Sequence, residues 1–209
     1  MARRVTSAEP RGNAWQWSRT AQTRRTLLEA AAEVFVEQGF AEASVAAVVE
    51  RAGSSVGSLY HHFGGKSELF LALWQDRQAA FEQQAASEVA RARAAGCTDP
   101  LELFVAGARA FLDGCWQWRD LTRLFMDGDG PPGFEVVRRT RNREWVRQNA
   151  VLLEAGSDPV DRFAVAALTA IIGEAGLEVA TCSSGREAGE ITEAAVALIR
   201  RLDPMRTIR

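Results

Sequence analysis

With 209 residues, 47% of them hydrophobic and 25% charged, the chain has the balance of a globular protein with room for one large domain or two small ones. No apolar run approaches the ~20 residues of a membrane helix, and the basic start MARRVTSAEPRGNAWQWSRT lacks the apolar core of a signal peptide, so a cytoplasmic location is expected. Cys97, Cys115 and Cys182 are odd in number and far apart, which speaks against a disulfide framework and against a CxxC metal knuckle. The net charge of −2 is unevenly placed: residues 1–66 hold 8 basic and 6 acidic groups (+2), and the remainder holds 17 and 21 (−4). A basic front and an acidic rear point to a polyanion partner at one end.

The pattern is helical throughout. TRRTLLEAAAEVFVEQGF sets Leu27, Leu28, Ala31, Val34 and Phe35 on one face, and Gly39 stops the helix. SVAAVVERAG is a short second helix, capped by Ser44 and closed at Gly53. Ser55 caps a third, VGSLYHHF, and a long helix runs from about Lys66 to Gly96. Three later helices open with a capping box, at Asp99–Glu102, Asp158–Asp161 and Ser184–Glu187. Between them GDGPPGF breaks the chain at 128–134, ahead of the helix EVVRRTRNREWVRQNAVLLEA. No stretch alternates at period two, so the predicted class is all-α.

Two short helices meeting at Gly53 describe a helix-turn-helix, whose second helix presents its N-terminal residues to the major groove. Ser55, Val56, Gly57 and Ser58 are then the residues that face DNA, with Leu59 and Phe63 packing back on the first helix. A metal pair at His61–His62 is disfavoured, because neighbours on a helix point about 100° apart and no third ligand is near in sequence. Matched acid–base or nucleophile motifs are missing, so neither an enzyme nor a cofactor is expected. Tyr60 as a plain core tyrosine and Lys66 as an idle surface lysine are the bland alternatives.

The segment FVEQGFAEASVAAVVERAGSSVGSLYHHFGGKSELF, with its Gly-x-Leu-Tyr-x-His-Phe-x-x-Lys core, is similar to the DNA-binding domain of the TetR family of bacterial regulators. The resemblance implies that Ser44, Tyr60 and Lys66 hold phosphates, that Ala46, Val56, Gly57 and Ser58 lie against base edges, and that His62 sits near the backbone, with His61 more variable. It also implies a homodimer joined through its last two helices and a pocket for a small effector. Ser54 for the usual valine, Val49 for alanine and Gly64–Gly65 for a serine-type cap are departures from the pattern. The expected organisation is a basic arm (1–17), a helix-turn-helix domain (18–66) and an effector-binding and dimerisation domain (67–209), about nine helices in all. The function this implies is a ligand-responsive repressor released from a palindromic operator. An activator, or a regulator controlled by a protein partner, is the alternative.

In the C-terminal part, Phe104, Phe111, Leu112, Trp116, Phe125, Phe134 and Trp145 form aromatic and aliphatic stripes at helical spacing. Read by the family's architecture, they line the effector pocket. Arg141 and Gln148, on the same face as Trp145, are its polar anchors for a carboxylate, phenolate or carbonyl. The other arginines of that helix (Arg138, Arg139, Arg143, Arg147) read as a solvated face. The last two helices carry Phe163, Ala166, Ala167, Ala170, Ile171, Gly173 and Ala175, then Ile191, Ala194, Ala195, Leu198, Ile199 and Leu202, as an association surface.

Overall fold

The computed structural model describes residues 11–126 and 129–202, with side chains from residue 20 onward; the expected N-terminal arm thus lies largely outside the described residues. Among them are nine helices and no strand: α1 (Arg11–Glu42), α2 (Val45–Arg51), α3 (Val56–Phe63), α4 (Lys66–Ala94), α5 (Pro100–Gln117), α6 (Arg119–Met126), α7 (Phe134–Leu152), α8 (Pro159–Thr181) and α9 (Gly185–Leu202).

Local chemistry accounts for the boundaries. Gly39 leaves helical geometry at φ 75, ψ 167, so α1 kinks where the sequence predicts its end. Ser44 and Ser55 accept the backbone N–H groups of Ala47 and Ser58, each at 3.1 Å. Asp99 and Asp158 cap α5 and α8, each ahead of a proline in the first turn. At α9 the capping box is offset: Ser184 accepts from Glu187 N–H, but the Glu187 carboxylate accepts from Ser183 instead of Ser184.

The first core joins α1–α4 and does not stop at Lys66. Leu69, Phe70, Leu73 and Trp74 from α4 enter it, as do Leu121, Leu124 and Phe125 from α6 and Phe134 from α7. Phe70, fully buried, is its hub. Its ring meets those of Phe35, Phe40, Phe125 and Phe134 edge-on at centroid distances of 5.1–5.4 Å. Truncating such a ring to alanine costs about 3–5 kcal/mol. Two further clusters fill the C-terminal part, around Phe104, Leu168 and Ile199 and around Phe81, Leu112, Cys115 and Val179.

Helix α8 corrects one sequence reading, being long and apolar enough to cross a membrane by length and composition. Half of its apolar window is buried inside the chain, as expected of a core helix. The association stripe also divides on folding. Ala175, Ala195 and Ile199 are buried in this chain's own core, whereas Phe163 and Leu198 stay 71% and 52% exposed.

Candidate nucleic-acid interface and internal cavity

The α2–α3 turn passes through Gly53 at φ 57, a left-handed conformation that glycine adopts at little cost. Ser54 N–H donates to Val49 O at 2.9 Å, so serine in place of valine leaves the turn closed. Helix α3 is set on the core by Leu59, which is fully buried, and by Phe63, which packs on the same cluster. Arg51 ties α2 to α1 through a two-pronged hydrogen bond to Glu37 at 2.6 and 2.7 Å.

Once Leu59 faces inward, Ser55, Val56, Gly57 and Tyr60 face outward, with Val56 47% and Tyr60 53% exposed. Ser58 is half-buried, and Ser44, Ala46 and His61 are exposed on the same unit. The outer surface of the first α3 turn is thus small and uncharged, leaving room for a base edge at contact distance. The His61 and His62 rings meet at 5.3 Å. Burial first, then His61 and Arg24, push the His62 imidazole below its ordinary value. No group of three or more metal-ligating side chains occurs among the described residues.

Lys66 is engaged inside the fold. Its ammonium donates to the carbonyls of Phe40, Ala41 and Ala43 at 2.8, 3.0 and 2.9 Å and lies 4.6 Å from the Phe40 ring centre. Three N–H donors meet three acceptors, so the charge clamps the α1–α2 turn. These bonds give Lys66 a structural role in addition to the phosphate contact expected of it.

Behind this unit a cavity of about 790 Å³ opens among α4, α5, α6, α7 and α8. Six of the nine expected effector residues line it: Phe104, Phe111, Phe125, Arg141, Trp145 and Gln148. Three do not. Leu112 is buried in the third cluster, Trp116 stacks under the Arg119 guanidinium, and Phe134 belongs to the first core, edge-on to Trp74. Their helical spacing was right, but each points to a neighbouring helix and not to the void.

The sequence reading missed the wall supplied by α4, which lines the cavity from Trp74 to Arg93. Nineteen steps of 1.5 Å give a span of about 28 Å. Glu82, on this wall, organises the polar patch: it pairs with Arg141 and accepts from Gln148 Nε2 at 3.0 Å. Arg141 Nε is buried without a partner, with its guanidinium 5.5 Å from the Trp145 ring centre. Arg138 is likewise no solvated arginine: it lines the cavity and donates to Phe125 O at 2.9 Å. Cys115 also lines the cavity, and burial pushes its thiol up to about 12, so it behaves as an apolar group.

An all-helical chain with a helix-turn-helix at one end and an apolar cavity behind it defines a class of protein, and the comparisons with known proteins agree. Residues 27–73 match the family model described as bacterial regulatory proteins, tetR family. The repressor AcnR of Corynebacterium efficiens is 45% identical over 51 residues, 24% of this chain and 27% of that one. The A-factor receptor protein of Streptomyces griseus is 28% identical over 156 residues, 70% of this chain and 48% of that one. The chain thus spans between about a quarter and a half of these relatives' own length. A TetR-like transcriptional regulator from Rhodococcus sp. RHA1 superposes with a TM-score of 0.59 at 28% identity, over 86% of this chain and 92% of that one. Residues 27–73 thus carry the N-terminal unit of the tetR family, and the chain as a whole has the fold of TetR-like transcriptional regulators.

Proposed function

We propose that the chain is a cytoplasmic, ligand-responsive DNA-binding regulator that represses from a palindromic operator and is released by a small, largely apolar effector. The observation that carries this reading is the shared wall: Trp74 and Phe125 belong both to the helix-turn-helix core and to the cavity. A molecule seated there pushes on the support of the DNA-reading helix, and the two states of that support differ in affinity for the effector.

Sorting the contacts follows from exposure. Val56 and Ala46, apolar and exposed, suit thymine methyl groups. Ser55 and Ser58 reach base edges with hydroxyls, and Gly57 lets the helix approach closely. Ser44, Tyr60, His61 and His62 lie where they meet the sugar–phosphate backbone. The exposed Val160, Phe163 and Leu198 on α8 and α9 supply an apolar face for a second copy. Dimerisation also gives the two half-sites the ~34 Å spacing of one helical turn.

The cavity's shape and chemistry define the effector class. A volume of about 790 Å³ spread along some 28 Å leaves a mean cross-section of about 28 Å², room for one chain or one ring edge-on. Six aromatic rings face it, and its polar patch is an arginine already neutralised by Glu82. A long, ring-containing molecule with a carbonyl acceptor fits these constraints. A gel shift against the DNA beside its own gene, followed by a screen of such compounds for tryptophan quenching and operator release, tests the reading. Failure to shift any promoter fragment would refute it, and a shift that no bound compound relieves would favour a regulator without a small effector.

A further inference from the structure

The backbone of the α1–α2 turn is gripped from two sides. Lys66 takes its carbonyls, as described, and the Asp129 carboxylate takes its amides: Oδ2 accepts from Phe40 N–H at 2.6 Å and from Ala41 N–H at 3.3 Å. Asp129 is 88–89 residues away in sequence and lies in the link between α6 and α7, outside the helix-turn-helix. The close approach requires Gly39. A Cβ there would stand 2.8 Å from Asp129 Oδ2, on a backbone whose φ of +75 already disfavours side chains.

Asp129 follows the end of α6 by three residues, and that end is itself held from the cavity. Arg138, on the cavity wall, donates to the carbonyls of Phe125 and Met126 at 2.9 and 3.4 Å and pairs with Glu135 at 3.3 Å. Two sets of charge-assisted hydrogen bonds, Arg138 on the last carbonyls of α6 and Asp129 on the entry to α2, are therefore separated along the chain by only three residues. We infer that Asp129 is a positioning residue through which the cavity biases the helix-turn-helix. An occupant that draws Arg138 away frees the end of α6, and Asp129 then loosens its hold on the turn from which α2 and α3 are set. The inference rests on the regulatory reading for its purpose, but its physical content, the coupling of Arg138 to the Phe40 and Ala41 amides, stands apart from it.

Amide hydrogen exchange on the full-length chain without DNA tests that content. Arg138→Ala, a change at the cavity, should accelerate exchange at Phe40 and Ala41 at least about tenfold, as should Asp129→Ala. The double variant should exchange no faster there than Asp129→Ala alone, because both changes act on one link. Asp129→Asn, which keeps the shape and an acceptor oxygen, should recover most of the protection. Val151→Ala, at an exposed position on α7, should leave these amides unchanged. Wild-type exchange at Phe40 and Ala41 in Arg138→Ala, or fully multiplicative effects in the double variant, would overturn the coupling. A second arm uses a duplex selected from a random-sequence pool. Arg138→Ala should weaken binding about 5- to 150-fold in the wild-type background and have no further effect beside Asp129→Ala. Equal loss in both backgrounds overturns the proposal. If no duplex is selected at all, it is the DNA-binding reading that fails, and the exchange arm still decides the role of Asp129.

Discussion

Replacing Lys66 separates two roles that a lysine at the foot of a recognition helix can play. In the structure its ammonium is spent on three carbonyls of the α1–α2 turn. Lys66→Met keeps the apolar stem over Phe40 and removes all three bonds. Hydrogen bonds from a charged donor are worth about 1.5–3 kcal/mol each, but they share one ammonium, and the exposed Ala41 carbonyl regains water. A net loss of about 2–4 kcal/mol follows, which in a chain of this size lowers Tm by roughly 4–16 °C. Operator affinity should fall as well, because the DNA-reading unit is less well held. If the clamp is the whole role of Lys66, the slope of log K against log salt should nevertheless stay at the wild-type value, since no phosphate contact is lost and no additional counterion is retained. A lysine bound to phosphate would instead lower that slope by about 0.9. Fluorescence anisotropy on one duplex between 50 and 200 mM salt, beside a thermal melt, reads both quantities. A slope reduced by about one with an unchanged melt would refute the clamp and leave only the phosphate role.

Further outcomes follow from other parts of the molecule. Glu82→Gln removes the charge that offsets Arg141 and should shift the ligand preference of the cavity from neutral carbonyl compounds toward carboxylates of the same shape, read as relative Kd by tryptophan quenching. Trp145→Ala should raise the effector concentration needed for operator release while leaving operator affinity within a few fold, and an unchanged dose response would remove Trp145 from the site. Leu198→Glu and Phe163→Glu place charge on the exposed faces of α9 and α8 and should yield monomers at micromolar concentration in sedimentation, with little change in helicity. The Cys115 thiol, raised from 9.0 to about 12, makes the folded state less stable as pH climbs from about 9 toward 12, because only the unfolded chain ionises there. Between pH 8 and pH 10 the wild type should lose about 1.4 kcal/mol that Cys115→Ala retains, measured by urea unfolding.

The helix-turn-helix was legible because its signals are local. A capping serine accepts from a backbone N–H three residues away, and a left-handed glycine closes a turn within five, so Ser44, Gly53 and Ser55 read correctly from their neighbours alone. The structural role of Lys66 was illegible for the opposite reason. Its partners lie 23–26 residues back, and nothing in its neighbourhood shows that a kink at Gly39 will bring three carbonyls to it. The cavity was half legible on similar grounds. Periodicity gives the face of each helix but not which of two flanking elements that face meets. Phe111 and Trp145 therefore fell on the void, while Phe134 and Trp116 fell on solid neighbours. The α4 wall had a usable signal: Trp74, Gln78, Phe81, Glu82, Ala85 and Val89 recur at helical spacing on a helix too long to be only a connector.

The polar groups of the cavity show why composition alone gives the wrong ligand. Four arginines (Arg93, Arg138, Arg139, Arg141) and two glutamates line it, which by count favours an anion. Position reverses that conclusion. Arg139 and Arg93 are exposed, where water screens their charge, and Arg138 is paired with Glu135 and occupied by carbonyls of α6. Arg141 lies against the Trp145 ring, and Glu82 already pairs with its charge. What remains there is a buried Nε–H lacking an acceptor, a deficit that one neutral oxygen can satisfy. A carboxylate in the same place would have to share Arg141 with Glu82, bringing two negative charges together. Recognition by hydrogen bond, with aromatic area supplying most of the affinity, is the arrangement these residues favour.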